Sequence, residues 1–531
     1  LSYDTLPLLS AEKIEELLFS RFEDGFLKLS DLPDPYMFKD MQKAADRIVL
    51  ALKRREKIVL VGDYDVDGVC STAIMRLFFR ELGYDLDWLI PNRFRDGYGF
   101  SPSLLSRIAD ADLIITVDNG ISSLEAASEC ERRGIDLIIT DHHIVPKIPP
   151  AAYAIVNQKQ IDCTFPYDEV CGAQIAWYLC AALKRSLGVD IDMKSMLQIA
   201  TLAIIADIMP LLHINRAIVK SGLSILQSSD MPFMKAYREY SSKERLRAED
   251  IAFGLAPVIN SAGRVEDASI ACEYICARNI YDARNYLKRL VECNERRKLL
   301  EESITAEAME LAKEDEAIQV IASDSWHEGV IGIVASRVAR AFETPAIILT
   351  ANGEDYKGSG RSFGECNLFD MVSSCSDRLK KFGGHKAAIG LSLEKKDLDS
   401  FTQAIRRHAK ENCDNRDYID PDILGELPLS SIDWNLYAIL DSFEPYGEKN
   451  RKPKFLARDV YIREKRYMSD GRHLKFIARN GDIFIEILKF RLSESEIEKI
   501  ENSEKIDIIY TVSENIFNDR RTLQLIVEKI L

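Results

Sequence analysis

Four short runs of apolar and β-branched residues follow one another early in the chain: 57–62 (KIVLVG), 112–117 (DLIITV), 136–140 (DLIIT) and 152–156 (AYAIV). Amphipathic stretches such as 70–82 and 122–133 separate them. Nearly continuous apolar strands alternating with helices predict a parallel sheet covered on both faces. In such sheets ligands gather beyond the carboxyl ends of the strands, so the residues after each run are the place to look for chemistry. Residues 193–209 (MKSMLQIATLAIIADIM) predict a buried helix ending near Asp207. From 278 to 314 there is no Gly or Pro and much Arg, Leu, Glu and Ala, which predicts a long helix, a strut between two globular parts. Strand and helix patterns resume at 318–322, 330–342 and 345–350, giving a second α/β domain that runs to about 410. Beyond a polar stretch at 410–420, strand-like runs stand at 455–463, 473–478, 483–490, 506–512 and 521–527. Turns such as Ser469-Asp470-Gly471 and Asn480-Gly481 break them, and five short strands predict a small barrel of the OB kind. The boundaries expected are 1–47, 48–230, 231–316, 317–410 and 411–531. The chain has no internal repeat and no low-complexity tract.

Length agrees with several cores, since 531 residues make about three to four domains. A hydrophobic content of 47% with 29% charged residues reads as a soluble globular protein. The chain opens on Leu rather than Met, as a trimmed chain would, and its first residues have neither the basic flank nor the apolar run of a signal peptide. No window of 18 uncharged apolar residues exists, so no membrane span is expected. None of the 11 cysteines forms a CxxC pair, Cys272 and Cys276 being the nearest, and a zinc site or disulfide framework is not expected. Reduced, mostly buried thiols of a cytoplasmic enzyme are. A net charge of −15 argues, taken alone, against a nucleic-acid partner. It is answered if many of the acids hold divalent cations and the basic residues form a local track.

The strand ends carry the acids such cations need. The first run ends in Gly62-Asp63-Tyr64-Asp65-Val66-Asp67-Gly68, three carboxylates at alternate positions where a strand turns into a helix. Hard divalent ions take oxygen ligands, and Mg²⁺ or Mn²⁺ takes carboxylates plus water. An EF-hand is rejected, because the twelfth position from Asp63 is Ile74 rather than Glu. The second run ends in Asp118-Asn119-Gly120, by itself no more than a helix cap. The third ends in Asp141-His142-His143, two of only seven histidines, and imidazole with carboxylate suits Mn²⁺. Asp207 closes an otherwise apolar helix, where a buried acid needs a partner and opposes the helix dipole. These residues can supply two metal sites, and two divalent ions about 3.5–4 Å apart clamp the attacking and leaving oxygens of a phosphoryl displacement.

DYDVDG, VDNG, DHH and IAD, in this order and on these elements, resemble the four motifs of the DHH phosphoesterases. The resemblance implies that Asp65, Asp67, Asp118, His142 and Asp207 are ligands of two Mn²⁺ or Mg²⁺ ions, with Asp118 the bridge and His143 facing the scissile phosphate. Asp63 and Asp141 are each either a further ligand or an orienting neighbour, with Asp63 counted among the ligands. Gly383-Gly384-His385 resembles the GGH motif of the DHH-associated domain, and reads as a turn leading into a small-residue helix whose N-terminus faces an anion. The alternative for it is a tight packing turn. Gly358-Ser359-Gly360-Arg361-Ser362 adds an Arg suited to bidentate phosphate contact. Within the superfamily, PNRF (91–94) with DGYG (96–99), NSAGR (260–264), WHEGVIGIVASR (326–337), GELPL (425–429) and EPYGEKNRKP (444–453) are similar to the RecJ family. Lys449-Asn450-Arg451 departs from that family's usual Gly-Asn-Pro-like stretch.

This resemblance implies a catalytic DHH domain at 48–230, a helical connector, a DHH-associated substrate-binding domain at 317–410 and an OB-like nucleic-acid-binding domain. It further implies a 5′→3′ exonuclease of single-stranded DNA that releases 5′ mononucleotides and acts in repair and recombination, with a helicase and a single-strand-binding protein as partners. Arg93, Arg264, Ser359, Arg361, Gly384 and His385 are the expected 5′-phosphate contacts. In the barrel, Tyr461, Tyr467, Phe476 and Phe484 are either stacking platforms or core. Arg463, Lys465, Arg466, Arg472 and Lys475 form a basic cluster that is either a nucleic-acid track or a solvated face. The rival readings are a short-oligonucleotide or cyclic-dinucleotide phosphodiesterase, a family pyrophosphatase, and an inactive binding scaffold.

Overall fold

The computed structural model describes residues 3–97, 99–108, 110–241, 243, 245–413, 420–468, 473–480, 483–517 and 520–531. They form two compact units: Leu29–Met209 with Ser221–Tyr418, and Leu1–Lys28 with Pro210–Lys220 and Ile419–Leu531.

The larger unit begins with a parallel sheet of β1 (Ile58–Val61), β2 (Asp87–Leu89), β3 (Leu113–Val117), β4 (Asp136–Thr140) and β5 (Ala154–Val156) in the order β2-β1-β3-β4-β5. Four strands follow the apolar runs; β2, three residues with an exposed edge, has too little apolar pattern to announce itself. Val59, Val61, Ile114, Leu137 and Ile139 pack one face against Leu104, Leu105, Ala126 and Ala127. Helix Val66–Glu81 is buried over most of its length and packs against helices Gly172–Leu187 and Leu197–Ala206. The long helix Ile280–Leu311 is capped by the Asn279 side chain and spans 32 residues, about 48 Å at the usual rise.

A second sheet follows: β6 (Gln319–Ser323), β7 (Ala346–Asn352), β8 (Asp355–Arg361), β9 (Lys381–His385) and β10 (Ala388–Glu394), ordered β6-β7-β8-β10-β9. Only β6 and β7 pair in parallel. Here two expectations are corrected. The GGH segment opens no helix: it is the exposed edge strand β9, turned back at Lys386 and Ala387 into β10. The period-two burial of Ile389, Leu391 and Leu393 decides for a strand, and the Ala, Gly and Ser between them fit either structure. The second correction concerns the thiols. Nine cysteines are free and all but Cys163 are buried, but Cys366 and Cys413 form a disulfide across 47 residues of sequence. It ties the segment after β8 to the end of helix Leu398–Asn412.

The smaller unit is a closed barrel. β12 (Lys454–Met468), β13 (His473–Asn480), β14 (Ile483–Phe490), β16 (Arg520–Ile530) and β15 (Lys505–Phe517) pair in that order, β15 pairs back to β12, and β11 (Ile423–Glu426) adds to the outside of β12. Phe455, Phe476, Tyr510 and Leu525 fill it, so Phe476 is core, while Tyr461, Tyr467 and Phe484 are exposed. Arg463, Lys465 and Arg466 are exposed along β12. Arg472, Tyr98 and the turn residues Ser469, Asp470, Gly471 and Gly481 lie outside the described residues. Among the described residues no helix is long and apolar enough to cross a membrane.

Candidate metal centre

Three neighbouring strands deliver their carboxyl ends to one place. After β1, Asp63 accepts from the Tyr64 amide at 2.7 Å, and Asp65 caps helix Val66–Glu81 by accepting from the Gly68 amide at 3.0 Å. The loop closes so tightly that a Cβ on Gly68 would stand 2.5 Å from the Asp63 carbonyl oxygen. Asp67, in the first helical turn, turns back into the protein. Its two oxygens accept from the Gly172 and Ala173 amides at 2.6 and 2.7 Å, the positive end of helix Gly172–Leu187. After β3, Asp118 takes a left-handed conformation with φ 60°, and Asn119 holds the turn by donating to the Val61 and Val117 carbonyls. A Cβ on Gly172 would stand 2.5 Å from Asp118 Oδ1, so only glycine lets that carboxylate into place.

After β4, His142 Nε2 lies 3.2 Å from Asp118 Oδ1 and 3.7 Å from both Asp67 Oδ2 and Asp207 Oδ2. Asp207 caps the C-terminus of helix Leu197–Ala206. Three overlapping sets of donor atoms result, each lying within 4.8 Å of one another: Asp63, Asp65 and Asp118; Asp67, His142 and Asp207; and Asp118, His142 and His143. Asp118 and His142 each belong to two of them. Asp141 stands apart from these sets. It accepts from the Ile121 amide and, at 2.7 Å, faces His143 Nδ1.

Such packing is costly without cations. Burial, and then the neighbouring Asp65, push the Asp63 carboxyl up to about 8. Burial followed by the charges of Asp67 and Asp65 raises both Asp118 and Asp207 well above the ordinary carboxylate range. Asp67 also rises by burial, although His142 and the helix amides oppose it. Asp118 Oδ1 and Asp207 Oδ2 are buried without a hydrogen-bond partner among the described residues. Acceptors orphaned in the middle of a carboxylate cluster fit a pair of divalent cations, and oxygen donors with one imidazole nitrogen fit Mn²⁺ or Mg²⁺. Burial lowers His142, which favours the neutral ring a ligand needs. For His143 burial is outweighed by the hydrogen bond and charge of Asp141, and the ring rises to about 9.

Beside the acids stands a second pole. The Arg93 guanidinium lies 4.5 Å from the centre of the Tyr64 ring. Arg264 donates to the Gly329 carbonyl at 3.1 Å; burial, and then the like charges of Arg93, Arg297 and Arg361, pull it down to about 10. Arg361 bonds Ser359 Oγ at 3.3 Å, and both face Gly332, where a Cβ would stand 3.0 Å from Ser359 Oγ. Gly332 lies in the first turn of helix Ile331–Phe342. Arg93, Arg264, Ser359 and Arg361 are thus brought together. Gly384 and His385 are not: both are exposed on β9, and the described hydrogen bonds of His385 stay within its hairpin.

Gly172, Ala173, Arg297 and Lys159 were not singled out from the sequence. Gly172 and Ala173 are functional only because Asp67, 105 and 106 residues away, reaches their amides. Arg297 lies in a charged stretch of the long helix, and Lys159 is a single charge among polar and apolar residues, with no local pattern to mark it.

Three family models match the chain: the DHH family N-terminal domain at residues 57–206, the DHHA1 domain at 315–411 and the RecJ OB domain at 423–529. The single-stranded-DNA-specific exonuclease RecJ of Bacillus subtilis is 32% identical over 94% of this chain, which spans 64% of that protein's length. The protein of the same name from Dickeya dadantii is 31% identical, over 99% of this chain and 96% of its own. The crystal structure of RecJ with Mn²⁺ from Thermus thermophilus superposes with a TM-score of 0.80 at 27% identity, covering 93% of this chain and 72% of that one. With its three domains matched in order and nearly all of a relative covered, the chain belongs to the RecJ family of the DHH phosphoesterases.

Proposed function

We propose that this chain is a single-stranded-DNA-specific exonuclease that works from the 5′ end, releases 5′ mononucleotides, and uses two Mn²⁺ or Mg²⁺ ions. The observation that carries the reading is the pairing of two poles in one unit: overlapping acid–histidine donor sets beside a cluster of arginines. Asp63, Asp65 and Asp118 would hold one ion and Asp67, His142 and Asp207 the other, with Asp118 shared between them. When bound, the ions supply charge to the attacking and leaving oxygens of the phosphodiester. The chain's own residues do the rest. His143, oriented by its 2.7 Å contact with Asp141, faces the scissile phosphate. Arg93, Arg264, Ser359 and Arg361 grip the terminal 5′ phosphate, Arg in bidentate fashion, and Gly384 and His385 contact the strand from β9. In this reading 48–230 is the catalytic domain, 231–316 the connector, 317–410 the substrate-binding domain and 411–531 the strand-binding domain, with 1–47 as an N-terminal segment. A role in DNA repair and recombination in the cytoplasm, beside a helicase and a single-strand-binding protein, follows from kinship with RecJ.

One assay tests it. The purified protein with Mn²⁺ is given one strand labelled at its 5′ end and the same strand labelled at its 3′ end. Early release of labelled mononucleotide from the first, with a shrinking ladder from the second, is expected. The reverse order removes the direction, and cleavage of dinucleotides without attack on the long strand moves the chain to the short-oligonucleotide phosphodiesterases.

A further inference from the structure

Lys159 lies in the turn after β5. Its amide donates to Asn157 Oδ1 at 2.8 Å, and Asn157 Nδ2 donates to the His143 carbonyl at 2.9 Å. Asn157 is fully buried, so the turn that carries Lys159 is clasped to the loop that carries His142 and His143. The Lys159 side chain is half-buried. Among the described residues no carboxylate lies within ion-pair distance of its ammonium, although most lysines of this chain's partly covered surface have such a partner. Its charge nevertheless reaches His142 and Asp207, two members of one donor set. The charge of Arg93, by contrast, reaches Asp63 and Arg264. The arginines and Lys159 therefore attend different members of the acid cluster.

A strand whose 5′ phosphate sits among the arginines must pass its next phosphate over the acids. There Asp63, Asp65, Asp67, Asp118 and Asp207 outweigh two divalent cations by one negative charge. The phosphodiester adds another, and hydrolysis adds more on its non-bridging oxygens. A cation fixed to the His143 loop and unspent on any carboxylate answers that excess. We propose that the Lys159 ammonium contacts a non-bridging oxygen of the phosphodiester being cleaved and stabilises the charge that grows there. Lys159 is then a catalytic residue, and the inference rests on the exonuclease reading above.

The test compares the parent with Lys159→Met, which keeps the side chain's length, and with Lys159→Arg, which keeps its charge. All are assayed on a 5′-phosphorylated single strand across a Mn²⁺ series, and Tm and Mn²⁺ binding without DNA are measured in parallel. The expected result is a fall in kcat of about 30-fold to 100-fold for Lys159→Met. KM should stay near the parent's, Tm and Mn²⁺ affinity should be unchanged, and Lys159→Arg should recover most of the rate. Should Lys159→Met lower Tm, Lys159→Gln reads the same quantity. A kcat within twofold of the parent overturns the proposal while leaving the exonuclease reading intact. So does a loss that higher Mn²⁺ repairs, since the lysine would then act through metal occupancy. A parent that cleaves no strand overturns both.

Discussion

The acid cluster and the arginine cluster occupy the same unit, yet they are built by opposite means. All the acids but Asp207, which ends helix Leu197–Ala206, follow the ends of three hydrogen-bonded parallel strands, and their neighbours in sequence are the apolar runs of the core. The arginines come from a loop (Arg93), the end of helix Ala256–Val265 (Arg264), the long helix (Arg297) and a strand of the other sheet (Arg361). The first group is drawn almost wholly from one sheet; the second is assembled across most of the unit. The contrast shows why a net charge of −15 misleads. The acids that weigh most in the argument are those cations would neutralise, and the positive field is concentrated where scattered arginines meet.

Breaking the acid pole should have the largest consequence. Asp118→Ala removes the carboxylate shared by two donor sets, and kcat should fall by about 10³-fold or more in saturating Mn²⁺. Circular dichroism should show an intact fold, and the stabilisation on adding Mn²⁺, of the order of 2.7 kcal/mol at a hundredfold excess over Kd and read as a rise in Tm, should disappear. Near-parental turnover would end the bridging role. Gly172→Ala comes next. Its new Cβ must displace Asp118, and a loss of about 10-fold to 100-fold is expected in rate or Mn²⁺ affinity, as for groups that orient metal ligands. An unaltered Mn²⁺ titration would show that the close approach is incidental. Arg361→Ala attacks the other pole. Losing a charge-assisted contact of about 2 kcal/mol should raise KM for 5′-phosphorylated strands some 10-fold to 50-fold, with kcat at saturation little changed. The opposite split, with kcat down and KM constant, would assign Arg361 to the acid pole's work. The smallest effect is expected from Arg466→Ala on the barrel: a two- to threefold rise in KM for long strands, a shallower salt dependence by about one unit of slope, and no change on dinucleotides. An equal effect on both lengths would make that strand a solvated face.

How much of this was legible in the sequence follows the same division. Strand-end acids announce themselves because an apolar run and the polar residues after it are adjacent in the chain. Asp207 stood out as one acid in an apolar helix, and the five barrel strands as period-two runs between turns. Gly172 could not be read, because its importance lies in a contact with Asp118 that no local pattern encodes. The GGH segment was misread for a different reason. Gly and Ala satisfy helix and strand alike, and Ile389, Leu391 and Leu393, which alternate, were passed over in favour of the motif. Cys366 and Cys413 carried no spacing signal, since the residues that bring them together are those of a whole domain. Of the six positions expected at the phosphate, the four that converge come from a loop, a helix end and one strand, which carries both Ser359 and Arg361, and only resemblance could have joined that strand to the other two.

One property of the first sheet reaches further. Adjacent strands stand about 4.8 Å apart because backbone hydrogen bonds require it. Asp63, Asp118 and His142 follow the ends of β1, β3 and β4, successive rungs of one ladder, so the pitch of the ladder sets how far apart the residues that would hold the ions begin. The spacing of these side chains is inherited from the main chain, so Mn²⁺ and Mg²⁺ would be held by the same frame without rebuilding the protein.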